Sequence, residues 1–153
     1  MPSLETRVPA PIVALAVGGA MWLVAHNVSP PNAGAPVREV VATVALQLSA
    51  AFAIAAFFGL WRAGTTFNPL NPERATKLVT SGVYALSRNP IYLSLLLLLL
   101  AYAVRLWSLL AAAGPAVFVA YVTRFQIVPE ERALEAKFGV AFTDYKRRVR
   151  QWI

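Results

Sequence analysis

The chain has 153 residues, of which 58% are hydrophobic and 14% charged, and its formal net charge is +7. Several apolar runs are long enough to cross a bilayer, so we expect one integral membrane domain covering residues 1–153. The chain lacks cysteine, which excludes disulfides and thiolate chemistry, and the single histidine, His26, argues against a zinc site, so we expect no metal.

The apolar runs predict the fold. They cover residues 12–28, 40–61, 91–104 and 109–128. A polar loop at 63–89 separates the second run from the third, whereas only four residues separate the third from the fourth. A connector that short forces a tight antiparallel hairpin. The sequence therefore predicts an all-α bundle of four transmembrane helices.

Basic residues predict the orientation of the bundle. They concentrate in the loop at 63–89 and in the segment at 129–153, whereas the opposite connectors contain only Arg38 and Arg105. By the positive-inside rule, the loop and both termini are cytoplasmic, and we expect a bacterial inner-membrane protein. The basic residues flank apolar spans, so membrane topology explains them better than nucleic-acid binding does.

The segment at 129–153 is too polar to be a further span. Pro129 and two acidic residues begin a predicted helix that Gly139 ends. After Gly139, apolar residues recur at helical spacing among basic ones, which predicts a cytoplasmic amphipathic tail. Such a tail either lies on the membrane surface or folds back on the loop, and for residues 146–150 we favour the surface anchor.

Residues 81–100 run from a polar loop directly into an apolar helix. We therefore expect the membrane–water interface at Arg88, Asn89 and Tyr92. One interpretation is anchoring, with Arg88 as a basic flank and the tyrosines as an aromatic belt. The polar residues near the fourth span favour a functional site instead.

Arg124 lies about one turn inside the fourth apolar run. A charged side chain there costs on the order of 3 kcal/mol or more unless it is paired or reaches a wet cavity. On a continuous helix Arg124 shares a face with Glu131, while Glu130 points roughly 100° away. Arg124 therefore either pairs with Glu131 or binds an anionic ligand, and both alternatives stay open.

Two sequence blocks, LVTSGVYALSRNPIYL and EERALEAKFGVAFTDYKRRV, together resemble the superfamily of isoprenylcysteine carboxyl methyltransferases and phospholipid methyltransferases. The resemblance covers about the C-terminal two thirds of the chain. Val83, Ala85 and Ser94 depart from the usual pattern. Asn89 stands where the prenylcysteine enzymes have histidine, and asparagine does not titrate near neutral pH.

The resemblance implies methyl transfer from S-adenosylmethionine to a lipophilic acceptor that reaches the site from the membrane. A carboxylate acceptor is favoured, with an amine or hydroxyl as alternatives. The resemblance also implies that the catalytic residues are Arg124, Glu131 and Asn89. The residues implied to bind the cofactor are Leu78, Val79, Gly82, Tyr84, Arg88, Asn89, Pro90, Tyr92, Glu130 and Glu131.

Individual roles follow from the chemistry of the cofactor. Glu130 or Glu131 would pair with its ammonium, Arg88 with its carboxylate, and Tyr84 or Tyr92 would face its sulfonium. The expected partners are membrane lipids and a lipophilic substrate, without nucleic acid, and the oligomeric state is not predicted. Two other functions stay open: a nicotinamide-dependent membrane reductase of the sterol reductase type, and a non-enzymatic membrane subunit.

Overall fold

The structure is a computed structural model that describes residues 8–28, 36–65 and 76–153. Within these ranges every regular element is helical, which confirms the all-α prediction. The α-helices are α1 (Ala10–Val28), α2 (Pro36–Ala63), α3 (Pro90–Leu106), α4 (Gly114–Val122), α5 (Val128–Phe138) and α6 (Val140–Arg148). A π-helical stretch, Thr123–Ile127, joins α4 to α5, and short 3-10 turns at Gly82–Ala85 and Ala111–Ala113 precede α3 and α4.

Three helical stretches are long and apolar enough to cross a membrane. They are Ala10–Asn27, Pro36–Ala63 and Ala111–Phe138. The helix α3 is also apolar, but with 17 residues it is shorter. The membrane character predicted from composition is therefore confirmed.

The main core lies between α1, α3 and α4. Met21 of α1, Leu99 of α3 and Phe118 of α4 are buried in one apolar cluster. Gly114, at the start of α4, faces Met21, and a Cβ atom at this position would overlap the methionine side chain. A small residue here allows α1 and α4 to approach closely, as is common between membrane helices.

The helix α2 packs along α3 at the edge of this core. Near the middle of the contact, the Ser49 hydroxyl donates to the Ser94 carbonyl oxygen at 2.7 Å, and both residues are buried. The opposite face of α2 exposes large apolar side chains such as Ile54, Phe57 and Phe58. Such a face suits contact with lipid chains, since the helix satisfies its own backbone polar groups.

The chain reverses direction after α3. Trp107 caps α3 in the left-handed conformation, with φ of 49°, and its N–H donates to the Ala103 carbonyl oxygen. The side chains of Tyr92, near the start of α3, and Glu130, near the start of α5, then meet by a hydrogen bond. The stretch from Ala111 to Phe138 therefore runs antiparallel to α3, as the short connector predicted, although α4 begins a few residues later than expected.

The π-helical stretch departs from the regular α-helix that was expected from the sequence. The shared face of Arg124 and Glu131 was derived from α-helical periodicity, but the Val128 N–H donates to the Thr123 carbonyl oxygen, five residues back. Pro129 supplies the reason, because its ring crowds the carbonyl group four residues earlier and it has no N–H of its own. A wider turn just before proline relieves this crowding, and it rotates Glu131 relative to Arg124.

Candidate functional site

Four of the predicted site residues meet where α3 and α5 begin. They are Arg88, Tyr92, Glu130 and Glu131, and we call them the polar cluster. Pro90 and Pro129 occupy the first turns of the two helices, where their fixed φ suits a helix. The fourth span runs antiparallel to α3 and continues into α5, so the start of α5 lies beside the start of α3 at one end of the apolar bundle.

Arg88 is the centre of the polar cluster. Its Nε and Nη2 atoms lie 2.9 and 2.8 Å from Oε1 of Glu131, and the two side chains are only 11% and 14% exposed. Its Nη1 donates to the carbonyl oxygens of Val149, at 2.6 Å, and Lys146, at 3.2 Å. Described residues thus engage four of its five N–H groups, which fixes the orientation of the guanidinium.

The structure gives Glu131 a partner that was not considered in the sequence. Arg88 forms a close ion pair with Oε1 of Glu131. Arg124 lies in the π-helical stretch with an exposed side chain, and its guanidinium carbon is 5.7 Å from the ring centroid of Phe125. The Arg124 side chain thus reaches the outer surface of the helix bundle.

The second carboxylate of the cluster points into the bundle. The Tyr92 hydroxyl donates to Oε1 of Glu130, and the two residues are 2% and 8% exposed. Burying a polar group is costly unless it is hydrogen-bonded, and this bond satisfies both side chains. The side chains of the two adjacent glutamates therefore point in different directions, as predicted from helix geometry. Glu130 bonds Tyr92, and Glu131 pairs with Arg88.

The loop just before α3 is paired with the end of the chain. The Arg88 backbone N–H donates to the Arg150 carbonyl oxygen at 3.0 Å, and Nδ2 of Asn89 donates to that of Gln151 at 3.0 Å. Ser87, which is fully buried, accepts a hydrogen bond from the Asn89 N–H and lies within hydrogen-bond distance of the Gln151 carbonyl oxygen. The side chain of Asn89 thus acts here as a donor to the C-terminal backbone.

Tyr84 connects the 3-10 turn to two helices. Its buried ring lies beside Gly59 of α2, where a Cβ atom would be 3.5 Å from the ring. Its carbonyl oxygen accepts a hydrogen bond of 2.6 Å from the Tyr145 hydroxyl of α6. Burial raises the pKa of both phenols above the usual value, so both stay protonated and Tyr145 remains a donor.

The remaining predicted site residues border the turn. Gly82 has a positive φ of 64°, a conformation that favours glycine. Val79 packs with Tyr84 and the start of α3, whereas Leu78 packs against the apolar face of α6. Residues 78 and 79 therefore join the turn to two different parts of the bundle.

Of the two arrangements predicted for the tail, the structure shows the folded-back one. Phe142, Tyr145 and Val149 form the buried face of α6, which confirms their helical spacing as a packing signal. Carbonyl oxygens of residues 146 and 149 bind Arg88, and the surface anchor that we favoured for residues 146–150 stays a prediction. Arg147, Arg148 and Arg150 expose their side chains to the surface.

Sequence reasoning missed Gln126 and Ser87. Gln126 is buried in the π-helical stretch, and its Nε2 donates to the Val8 carbonyl oxygen, which holds the start of the described chain against the fourth span. An amide inside an apolar run was the available signal. Ser87 is one small polar residue in a polar loop, so its sequence context carried no comparable signal.

Comparison with known proteins places these elements in a family. The family model described as phospholipid methyltransferase matches residues 37–141, which is more than half of the chain. An uncharacterized protein of Haemophilus influenzae is 47% identical over 62 residues, which are 40% of this chain and 98% of that protein. No solved structure matches the chain. The family match contains all four residues of the polar cluster and confirms the resemblance seen in the sequence.

Proposed function

Because the chain belongs to the phospholipid methyltransferase family, we propose that it transfers a methyl group from S-adenosylmethionine to a lipophilic acceptor in the membrane. The observation that carries this proposal is the polar cluster. It places a largely buried Arg88–Glu131 ion pair and a Tyr92–Glu130 hydrogen bond at the end of apolar helices. A lipid-soluble acceptor and a charged, water-soluble donor would meet at such a boundary.

The side chains present suit the functional groups of this cofactor. When bound, S-adenosylmethionine supplies an electrophilic methyl group on a sulfonium centre, and its amino-acid end carries an ammonium and a carboxylate. Glu130 and Glu131 offer carboxylates to the ammonium, and Arg88 has one further N–H for the carboxylate. The rings of Tyr84 or Tyr92 suit a cationic centre.

The adenine requires a different surface. The chain lacks a G-x-G phosphate-binding turn, so we assign the adenine to the backbone around residues 78–82. Pro90 and Asn89 complete this side of the proposed site. Asn89 Nδ2 donates to the Gln151 carbonyl oxygen, and its Oδ1 can act as an acceptor.

The acceptor needs orientation more than it needs a base. A carboxylate acceptor is already nucleophilic, so the protein would contribute alignment and exclusion of water. Arg124 has an exposed side chain on an apolar helix, where it is suited to orient an anionic group arriving from the bilayer. Amine and hydroxyl acceptors would use the same donor site.

We further propose four membrane crossings within a single domain. With 17 residues at a rise of about 1.5 Å each, α3 spans about 26 Å, close to the roughly 30 Å of a hydrocarbon core. Four crossings place both termini on one side, which the basic loop and tail assign to the cytoplasm of a bacterial inner membrane. Labelling of single cysteines introduced into this cysteine-free chain would test the topology.

One experiment tests activity and acceptor together. Purified protein is incubated with methyl-labelled S-adenosylmethionine and a bacterial lipid extract, and mass spectrometry identifies any labelled lipid. We expect one labelled lipid class. Absence of label together with absence of cofactor binding in calorimetry would overturn the proposal, and binding of a nicotinamide dinucleotide instead would favour the reductase.

A further inference from the structure

The last residues of the described chain wrap around the polar cluster. We call residues 145–151 the C-terminal strap. Its backbone carbonyl oxygens at Lys146 and Val149 accept from the guanidinium of Arg88, and that at Arg150 accepts from the Arg88 backbone N–H. The strap lies beyond residues 37–141, so the family match does not describe it.

The strap determines where Arg88 can point. Val149 is the residue that caps the C-terminal end of α6, where carbonyl groups lack helical partners and the helix dipole favours a cation. Arg88 satisfies two of these carbonyl groups with Nη1 while Nε and Nη2 hold Glu131. The guanidinium therefore connects the strap to the carboxylate of Glu131, with contacts on both sides.

The strap is itself fixed at two further points. At its start, the Tyr145 hydroxyl donates to the Tyr84 carbonyl oxygen, and at its end the Gln151 carbonyl oxygen accepts from Asn89. Beyond it, Trp152 packs against the main core. These contacts hold the strap to the same loop that carries Arg88.

We propose that the C-terminal strap is a positioning element of the methyl-transfer site, which holds Arg88 and, through Arg88, aims the Glu131 carboxylate at the cofactor ammonium. This inference rests on the proposed function. It assigns Arg88 mainly to positioning, because described residues already engage four of its five N–H groups. It also predicts that the amino-acid end of the cofactor, and not its nucleoside, depends on the strap.

Two variants loosen the strap to different degrees. Tyr145→Phe keeps the ring in its apolar cluster but removes the hydrogen bond to Tyr84. A chain ending at Arg148 removes the carbonyl oxygens of residues 149–151. Binding of S-adenosylhomocysteine and of 5′-methylthioadenosine is measured by calorimetry; the second ligand lacks the amino-acid end. The destabilised control is Leu99→Ala, in the main core and outside the strap.

We expect Tyr145→Phe to weaken S-adenosylhomocysteine binding about 3- to 10-fold, the effect of one lost hydrogen bond, and the truncation to weaken it more. Binding of 5′-methylthioadenosine should stay unchanged in Tyr145→Phe, and Leu99→Ala should bind both ligands like the wild type at temperatures where it is folded. Equal weakening of both ligands, or wild-type binding of both by Tyr145→Phe, would overturn the inference. Failure of the wild type to bind either ligand would instead overturn the proposed function on which it rests.

Discussion

The two ends of α3 carry two different arginine–glutamate pairs. At the start, Arg88 and Glu131 are 2.8 Å apart with side chains 11% and 14% exposed. At the other end, Arg105 and Glu39 are 3.3 Å apart with side chains 66% and 43% exposed. Among the described residues, only the first pair also contacts backbone carbonyl groups, those of residues 146 and 149.

This difference distinguishes the ion pair at the candidate site from an ion pair on the protein surface. An exposed pair is screened by water and salt and contributes little to folding. A buried pair must recover the cost of desolvation, which requires good geometry and further hydrogen bonds. The molecule concentrates these bonds at the Arg88 end, where Tyr92 and Glu130 also meet. If the two ends differ in energy and activity as they do in geometry, changes at the Arg88 end should have the larger effects.

The largest effect is expected from removing Arg88. Arg88→Leu leaves the Glu131 carboxylate largely buried without its partner, and we expect the free energy of unfolding to fall by about 3–5 kcal/mol. Unfolding of detergent-solubilised protein measures this value. The double variant Arg88→Leu/Glu131→Leu should recover part of the loss, because it removes both charges. A loss below about 1 kcal/mol would mean that the Arg88–Glu131 pair contributes no more to stability than an exposed ion pair does.

The sequence predicted the members of the polar cluster because each stands beside an apolar run. Arg88 precedes the third run, Tyr92 lies in its first turn, and the two glutamates follow the fourth run. Their meeting required only the hairpin, which the short connector specified. The offset between adjacent residues on a helix was enough to separate Glu130 from Glu131.

The sequence could not predict which groups pair within the polar cluster, for two physical reasons. First, the π-helical stretch before Pro129 departs from α-helical periodicity, and the choice between a kink, a break and a wider turn depends on packing. Second, the carbonyl groups that bind Arg88 belong to Lys146 and Val149, and every residue has a carbonyl group. A pattern of side chains cannot indicate which backbone oxygens will receive a distant arginine.

A second prediction concerns Arg124, an exposed arginine on an apolar helix. Arg124→Leu should lower turnover roughly 100-fold, the size of a positioning defect, while cofactor affinity and melting temperature stay near those of the wild type. All three quantities are measured on one preparation. Arg124→Lys serves as the control that keeps the charge, and near-normal turnover of Arg124→Leu would remove Arg124 from the catalytic residues.

A third prediction concerns the two carboxylates of the cluster. Glu131→Gln should weaken S-adenosylmethionine binding by about 1–3 kcal/mol, the scale of a lost charge-assisted hydrogen bond, while glutamine still accepts from Arg88. Calorimetry on folded protein measures the change. Glu130→Gln is the matched variant, since Glu130 bonds Tyr92 instead. Unchanged affinity in both variants would exclude the acidic pair from cofactor binding.

The smallest effect is expected at the other end of α3. Arg105→Gln breaks the exposed pair with Glu39 and should change the free energy of unfolding by no more than about 1 kcal/mol. Arg38 lies 5.8 Å from the ring centroid of Trp107 and keeps a second contact between α2 and the end of α3. The change should shrink further as salt is raised, because exposed charges are screened. Unfolding at low and high salt measures both effects. A salt-independent loss of several kcal/mol in the free energy of unfolding would show that this exposed pair stabilises the fold as strongly as a buried pair.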